Sequence, residues 1–403
     1  MSASTRRVIV VGAGPVGLLT ALVLAKQGVP VLVLEAAPGL TIDLRAGTYH
    51  PPSLELMAPY GITDDMHEIG FKVPRWQIRD KTEGVIVEWD LSVLADVTPY
   101  PYRFHLEQHR LTPIIYAKLL ECANAEVRFG HEVVDVSQTA DLAVVDAKTA
   151  RGIERFDATW VVGADGGRST VRKSTGIEFA GFTWPERFVV VSTTHDFEPH
   201  GYAYNAYIAD PLEWGAVFKM PGDGPPGLWR AAFPVLPDES DEAALSDERC
   251  QHRLRNLHAL AAPYPLKYRS IYRIHQRVAA DYRRGRLILA GDAAHLNNPL
   301  GAFGLNGGIH DAMNLGEKLG RVFKGEANES LLDLYTRQRR TANVEQVQAN
   351  SIQNKKRLEA RDPTVRQRNF DELRRTAADP TATREFLLTS SMIHSVRRAA
   401  AVA

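Results

Sequence analysis

Three stretches of this 403-residue chain combine residue types at spacings that could do chemistry. The first, VIVVGAGPVGLLTALVLAKQGVPVLVLE, sets Gly12, Gly14 and Gly17 in a G-x-G-x-x-G pattern, with Glu35 closing the next apolar run. Each part suits a bound dinucleotide. Gly12 permits a tight turn, Gly14 lets the backbone approach a pyrophosphate, and Gly17 allows close packing of helix on strand. Glu35 would accept hydrogen bonds from a ribose, and the helix N-terminus that Pro15 and Val16 open favours phosphate charge. Ala36, next to Glu35, is assigned to the same site. By itself this pattern does not separate FAD from NAD.

The second stretch, WVVGADGGRSTVR from Trp160 to Arg172, runs an apolar strand into an Asp165-Gly166 turn and then opens a helix. Alone it would pass for an ordinary turn. The third, GDAAHLNNPLGAFGLN from Gly291 to Asn306, ends a strand in Gly291-Asp292 and puts Pro299, Gly301 and Gly304 just ahead of a helix. So many glycines before a helix N-terminus suit a large, flat, partly anionic cofactor lying against the backbone.

These motifs need elements to hold them. Val8 to Val11 reads as a short buried strand, Pro15 to Gln27 as a helix with Leu18, Leu19, Leu22 and Ala25 at helical spacing, and VPVLVLE as a second strand, giving a βαβ unit. Gly28 stands where a C-terminal cap belongs. Pro51-Pro52 precedes a short helix for which Ser53 is the expected N-cap, and another helix is expected over Thr112 to Ala123. From about Phe182 to Tyr272 aromatic, alternating segments separated by Pro and Gly turns predict an antiparallel sheet. A buried parallel-type strand returns around Arg286 to Gly291, and helices are expected to the end.

Composition narrows the partners. Lys+Arg and Asp+Glu number 48 each, so no global field draws the chain to nucleic acid or an anionic membrane. Hydrophobic residues make up 44% and charged residues 24%, ordinary for a globular protein. Cys122 and Cys250 show neither metal-ligand nor disulfide spacing, which favours a reducing, cytoplasmic setting and no metal. The N-terminal apolar run is broken by Gly-Ala-Gly-Pro, so it is not read as a secretion signal, and no run approaches the ~20 apolar residues of a membrane span.

Taken together, the three motifs resemble the single-component (group A) flavoprotein aromatic hydroxylases, the para-hydroxybenzoate hydroxylase family. Two further stretches extend the resemblance: LRAGT, with Arg45, and HLEQHRL, with Gln108; the matches follow the family's order from residue 8 to about 340. The resemblance implies an α/β fold in which a Rossmann-like FAD-binding domain (1–75, 100–180 and 273–340) interleaves with an antiparallel-sheet substrate domain (76–99 and 181–272), followed by a C-terminal helical segment (341–403). It places FAD contacts on Arg45, Gln108 and Gly166, gives Asp165 a place facing both flavin and nicotinamide, and assigns Asp292 to the FAD ribose and pyrophosphate. Pro299 to Asn306 would line the isoalloxazine ring. There Leu305 and Asn306 would present N–H groups near its N1–C2=O edge, stabilising reduced-flavin charge by up to ~2 kcal/mol.

The chemistry implied by the resemblance is reduction of FAD by NADH or NADPH, addition of O2 to give a C4a-hydroperoxyflavin, and attack by an electron-rich ring on the distal oxygen. No second G-x-G-x-x-G occurs, which fits a transiently bound nicotinamide. Arg45, Arg168 and Arg172 are alternative phosphate contacts. On the substrate side Phe218 and Met220 fall where the benzoate hydroxylase carries polar and cationic carboxylate binders, so a neutral or apolar phenol or heteroaromatic is favoured over a benzoate. Tyr204, Tyr207, His195, Lys219 and Arg230 are the polar candidates near that face, with Pro299 opposite. No general base is assigned, and His295 and His310 read as structural. An epoxidase or Baeyer–Villiger-type monooxygenase of a polyketide or other natural product is the alternative, and a non-catalytic flavin-binding scaffold the alternative of another class. A halogenase is disfavoured, and the chain is too short for the thioredoxin-like domain of phenol hydroxylases. A small aromatic substrate is the expected partner, and a monomer and a homodimer both remain open.

Overall fold

The structure, a computed structural model, describes residues 6–42 and 47–403. Two large sheets set its frame. The first has six strands, in the order Arg283–Arg284, Leu287–Leu289, Trp160–Gly163, Val8–Val11, Val31–Leu34 and Ala125–Arg128. Every pairing in it is parallel except the outermost, Arg283–Arg284 against Leu287–Leu289. Parallel strands covered on both faces must be apolar throughout, and VIVV, VLVL and WVVG are wholly buried. The helix Pro15–Lys26 packs between this sheet and the helices Phe303–Lys324 and Gln108–Leu120.

The second sheet has eight strands: His295–Leu296, Leu266–Ala279, Phe179–Thr193, Leu228–Val235, Gly215–Met220, Asn205–Ala209, Arg75–Asp80 and Gly84–Asp90. The sequence pattern predicts an antiparallel sheet here, and one junction differs. Asn205–Ala209 lies parallel to Arg75–Asp80, Ala206 opposite Gln77, because those two strands come from distant parts of the chain rather than from a hairpin. An antiparallel meander of Glu132–Gln138, Ala143–Thr149 and Gly152–Ala158 is a further element that the sequence reading did not resolve.

Two helix starts also differ from expectation. The helix expected at Thr112 begins at Gln108, and Pro113 sits inside it. The helix at Pro51–Met57 has His50, not Ser53, at its N-cap. Proline suits a first helical turn because its missing N–H would be unpaired there anyway, so Pro51-Pro52 belong inside the helix and the cap moves back one residue.

The C-terminal helices cover the chain's own sheet. Pro363–Ala378 and Pro380–Ser390 bury Phe370, Leu373, Leu387 and Leu388 in one cluster with Trp76 and Trp89, where Phe386 stacks on Trp89 at 4.3 Å between ring centroids. Ion pairs of Arg366 with Asp80 and of Arg384 with Asp96 fasten the same face. Among the described residues no helix is long and apolar enough to cross a membrane, and no group of His, Cys, Asp and Glu side chains could hold a metal ion.

Candidate functional site

A cleft of about 1140 Å³ runs between the two sheets and reaches every one of the motifs. Gly12, Gly14, Pro15, Val16, Glu35 and Ala36 line one end, Asp165, Gly166, Arg168 and Asp292 the middle, and Pro299, Leu300, Ala302, Gly304 and Leu305 the approach to the eight-stranded sheet. Gln108, at the first position of its helix, also lines it. Arg45 lies outside the described residues.

At the dinucleotide end the glycines differ in what they do. Gly12 has φ +103°, and a Cβ on it would sit 2.6 Å from the Ala164 carbonyl oxygen. A Cβ on Gly17 would sit 2.0 Å from the Gly12 oxygen, so Gly17 packs helix on strand and does not line the cleft. A Cβ on Gly14 or Gly166 would meet nothing within 4 Å. Both line the cleft, so bare backbone is open there and could take the pyrophosphate of a dinucleotide. Glu35 is held for such a ligand: Oε2 accepts from the Ala13 N–H at 2.7 Å and Oε1 from the Ala37 N–H at 2.9 Å, each oxygen keeping a lone pair.

Asp165 serves its own helix as well as the cleft. Its Oδ2 accepts from the N–H groups of Thr170 at 2.7 Å and Val171 at 3.2 Å, while Oδ1 is buried without a partner. Burial pushes its pKa above the ordinary carboxylate value, against the lowering effect of Ser169 and of these backbone donors. Arg172 is no phosphate contact here, since it is buried and donates to the carbonyls of Ala293 and Gly167. Arg168 does line the cleft.

The helix Phe303–Lys324 starts from Ala302 with φ +59°, after Gly301 with φ +108°. An α-helix leaves the N–H groups of its first three residues without intrahelical partners, here Phe303, Gly304 and Leu305. Asn306 holds the loop through its side chain. Oδ1 accepts from the His50 N–H at 2.8 Å and the Ser53 hydroxyl at 2.7 Å, and Nδ2 donates to Thr48 and Ala302 carbonyls. His50 Nε2 lies 2.8 Å from the Gly301 oxygen, and the ring stacks on Phe303. Asn306 and Gly301 therefore shape the loop from behind and do not line the cleft.

Gly291, with φ +60°, is another supporting residue outside the lining. Its N–H donates to Asp311 Oδ2 at 3.0 Å, an oxygen also 2.6 Å from His295 Nε2, and Asp311 Oδ1 accepts from Arg339 at 2.6 Å. Burial raises the Asp311 carboxyl, but the neighbouring His295 and Arg339 outweigh it and hold it at about 2. This network fixes the turn that presents Asp292 to the cleft. His310 is likewise internal, with Nε2 3.1 Å from the Ser53 hydroxyl.

On the sheet side Phe218, Met220 and Arg230 line the cleft, together with Phe188, Tyr272 and His275. Phe218 and Arg230 are register partners on adjacent strands, and Arg230 is 4% exposed. The lining is thus apolar with a buried guanidinium in it. Other sheet candidates are elsewhere. Tyr204 lies on a smaller surface pocket and donates to Glu198; Lys219 pairs with Asp196 and Glu198; His195 stacks on His200 and meets Phe197 and Tyr264 edge-on. Tyr207 stands one layer behind Phe218, edge-on at 5.9 Å, and its oxygen accepts from the Gly301 N–H at 3.2 Å.

Residues 5–351 match the family described as FAD binding domain. The chain is 37% identical over 397 residues to a para-nitrophenol 4-monooxygenase from Pseudomonas sp. (strain WBC-3), covering 97% of this chain and 96% of that one. It is 36% identical over 364 residues to a 6-hydroxy-3-succinoylpyridine 3-monooxygenase from Pseudomonas putida, covering 89% and 90%. The crystal structure of a p-nitrophenol 4-monooxygenase from Pseudomonas putida DLL-E4 superposes with a TM-score of 0.91 at 36% identity, covering 97% and 98% of the two chains.

Proposed function

The chain belongs to the FAD-binding-domain family of flavin-dependent aromatic hydroxylases, and we propose that within it this enzyme takes a single-ring phenol or hydroxypyridine bearing a strongly polar or anionic substituent. It is an FAD-dependent monooxygenase that hydroxylates an aromatic ring with NAD(P)H and O2. Bound FAD supplies the redox chemistry, taking electrons from NAD(P)H and activating O2.

The observation that carries the substrate reading is Arg230. Its side chain is almost fully buried, yet it lines the same cleft as its register partner Phe218 and as Met220, Pro299 and Leu300. A planar guanidinium suits the two oxygens of a nitro or carboxylate group. Its presence shifts the expectation away from a wholly apolar ligand. Phe218, Met220 and Pro299 would hold the ring between them and keep water from it. Both relatives named above act, by their names, on a ring that carries an oxygen and a polar substituent.

The residues proposed to hold FAD are Gly12, Gly14, Pro15, Val16, Glu35, Ala36, Gln108, Asp165, Gly166, Asp292, Gly304 and Leu305. Cys122 and Cys250 are both free and buried, which supports placing the enzyme in a reducing cytoplasm, as a monomer or homodimer. The test is NADH and NADPH oxidation by the purified holoenzyme with unsubstituted phenol, 4-nitrophenol, hydroxybenzoates and hydroxypyridines, with products identified by mass spectrometry. Stimulation with hydroxylated product from the nitro- or carboxyl-bearing compounds supports the reading; stimulation by phenol alone refutes the role given to Arg230.

A further inference from the structure

Arg103 is a charge to which that reading gives no task. It lies on the strand Arg103–His105 and is 2% exposed. Its Nη1 donates to the Asn205 side chain, its guanidinium lies 4.1 Å from the Trp76 ring centroid, and it faces the Tyr207 hydroxyl. Its Nε has no acceptor, and among the described residues no carboxylate pairs with it. His50 and His105 beside it bring no charge of their own: burial chiefly, with the Arg103 charge adding to it, holds both imidazoles down to about 3.

A guanidinium does not shed its proton in a protein. Burying it without a counter-ion is costly, and a stacked indole and an amide oxygen offset only part of that cost. A fold that keeps such a charge gains from it where negative charge appears nearby. Tyr207 indicates where: its oxygen, which Arg103 faces, also takes the Gly301 N–H, and Gly301 belongs to the turn whose Pro299, Leu300 and Ala302 line the cleft. Arg103 therefore stands one hydroxyl group behind that turn.

We propose that Arg103 is a positioning residue for the electrostatics of the ring site, acting through Tyr207 and the Gly301 amide to stabilise the negative charge that bound FAD takes up on reduction. The inference rests on Pro299 to Leu305 being the flavin loop. A purely structural Arg103, holding Trp76 and Asn205 together, would leave the redox balance of the flavin where it is.

The experiment is a dye-equilibrated redox titration of the ligand-free holoenzyme, followed by flavin absorbance, for the wild type, Arg103→Met, Arg103→Lys and Tyr207→Phe. At the poise where half the wild-type flavin is reduced, the reduced-to-oxidised ratio falls about tenfold in Arg103→Met, the order expected for one charge acting at short range through protein. Arg103→Lys restores most of the ratio, and Tyr207→Phe lowers it in the same direction. An Arg103→Met ratio within about twofold of wild type, well inside that electrostatic expectation, overturns the proposal, as does an Arg103→Lys ratio as low as that of Arg103→Met. If Arg103→Met does not fold, an unchanged ratio in Tyr207→Phe overturns the relay. Failure of the underlying hydroxylase reading shows separately, as a wild-type protein that binds no FAD or that no aromatic compound stimulates.

Discussion

The Gly301 amide donates to the phenol oxygen of Tyr207 at 3.2 Å, so a residue of the eight-stranded sheet holds the turn that opens the helix Phe303–Lys324. Ring stacking at a reaction centre tolerates little displacement, and a shift of about 1 Å can cost about 10²-fold in rate. Tyr207→Phe removes the acceptor but keeps the ring against Trp76 and Phe218. The expected result is a kcat lower by about 10²-fold with a melting free energy lower by only about 1 kcal/mol. Steady-state kinetics beside calorimetry checks this; equal losses in FAD content and rate would instead mean that the whole loop had come apart.

The glycines of the first motif predict two different failures. Gly12→Ala meets the Ala164 oxygen at 2.6 Å in a left-handed backbone, so it should damage the fold, by about 1–3 kcal/mol for strain of this kind. Gly14→Val has open space and an ordinary φ of −70°, so it should fold and melt near wild type while losing FAD. Differential scanning calorimetry of apo-protein and flavin content after desalting separate the two. A Gly14→Val protein that retains full FAD would remove the pyrophosphate from this turn.

How much of this was legible beforehand follows from how local each feature is. Val8 to Glu35 is one continuous βαβ unit, so spacing alone carried its shape, while the choice between FAD and NAD needed the other motifs. The aromatic alternation after Phe182 likewise announced a sheet, though not the parallel junction with Arg75–Asp80, which depends on where a distant pair of strands docks. The contacts that hold the turn from Pro299 to Ala302 were not legible. His50 and Asn306 are 256 positions apart, and Asp311 and Arg339 lie on different helices. Ser53 was legible as a polar group at a helix start, but its hydroxyl is spent on Asn306 rather than on its own backbone. Arg103, in PYRFHLEQ, carried no signal in the sequence, because only the folded chain reveals a guanidinium with no acid beside it.

Glu35 presents its carboxylate to the Ala13 and Ala37 amides at 2.7 and 2.9 Å. Glu35→Gln keeps the size but offers one oxygen and an amide donor, turning one of those two contacts into a donor facing a donor. A charged hydrogen bond contributes about 1.5–3 kcal/mol, so the FAD dissociation constant should rise about 10- to 100-fold, with the folded apo-protein destabilised less. Fluorescence titration of apo-protein with FAD measures it. An unchanged constant would mean that the ribose lies elsewhere.

Asp311 makes the acid limb of stability a test of the loop's foundation. Burial opposes its ionisation, but His295 and Arg339 hold the folded-state value at about 2, below the ordinary 3.8. A carboxyl depressed on folding contributes stability that is fully present above its unfolded value and is lost as pH falls from about 3.8 toward about 2. That interval corresponds to about 2 kcal/mol. Asp311→Asn should abolish this part of the acid dependence and, above pH 5, cost about 3–5 kcal/mol because Arg339 is left buried without its partner. Replacing both partners, as Asp311→Asn with Arg339→Met, should recover part of that loss. Urea unfolding at a series of pH values follows both effects. An Asp311→Asn protein with wild-type stability at neutral pH would show that the Gly291 turn stands without this network, and that Asp292 is positioned by the strand end alone.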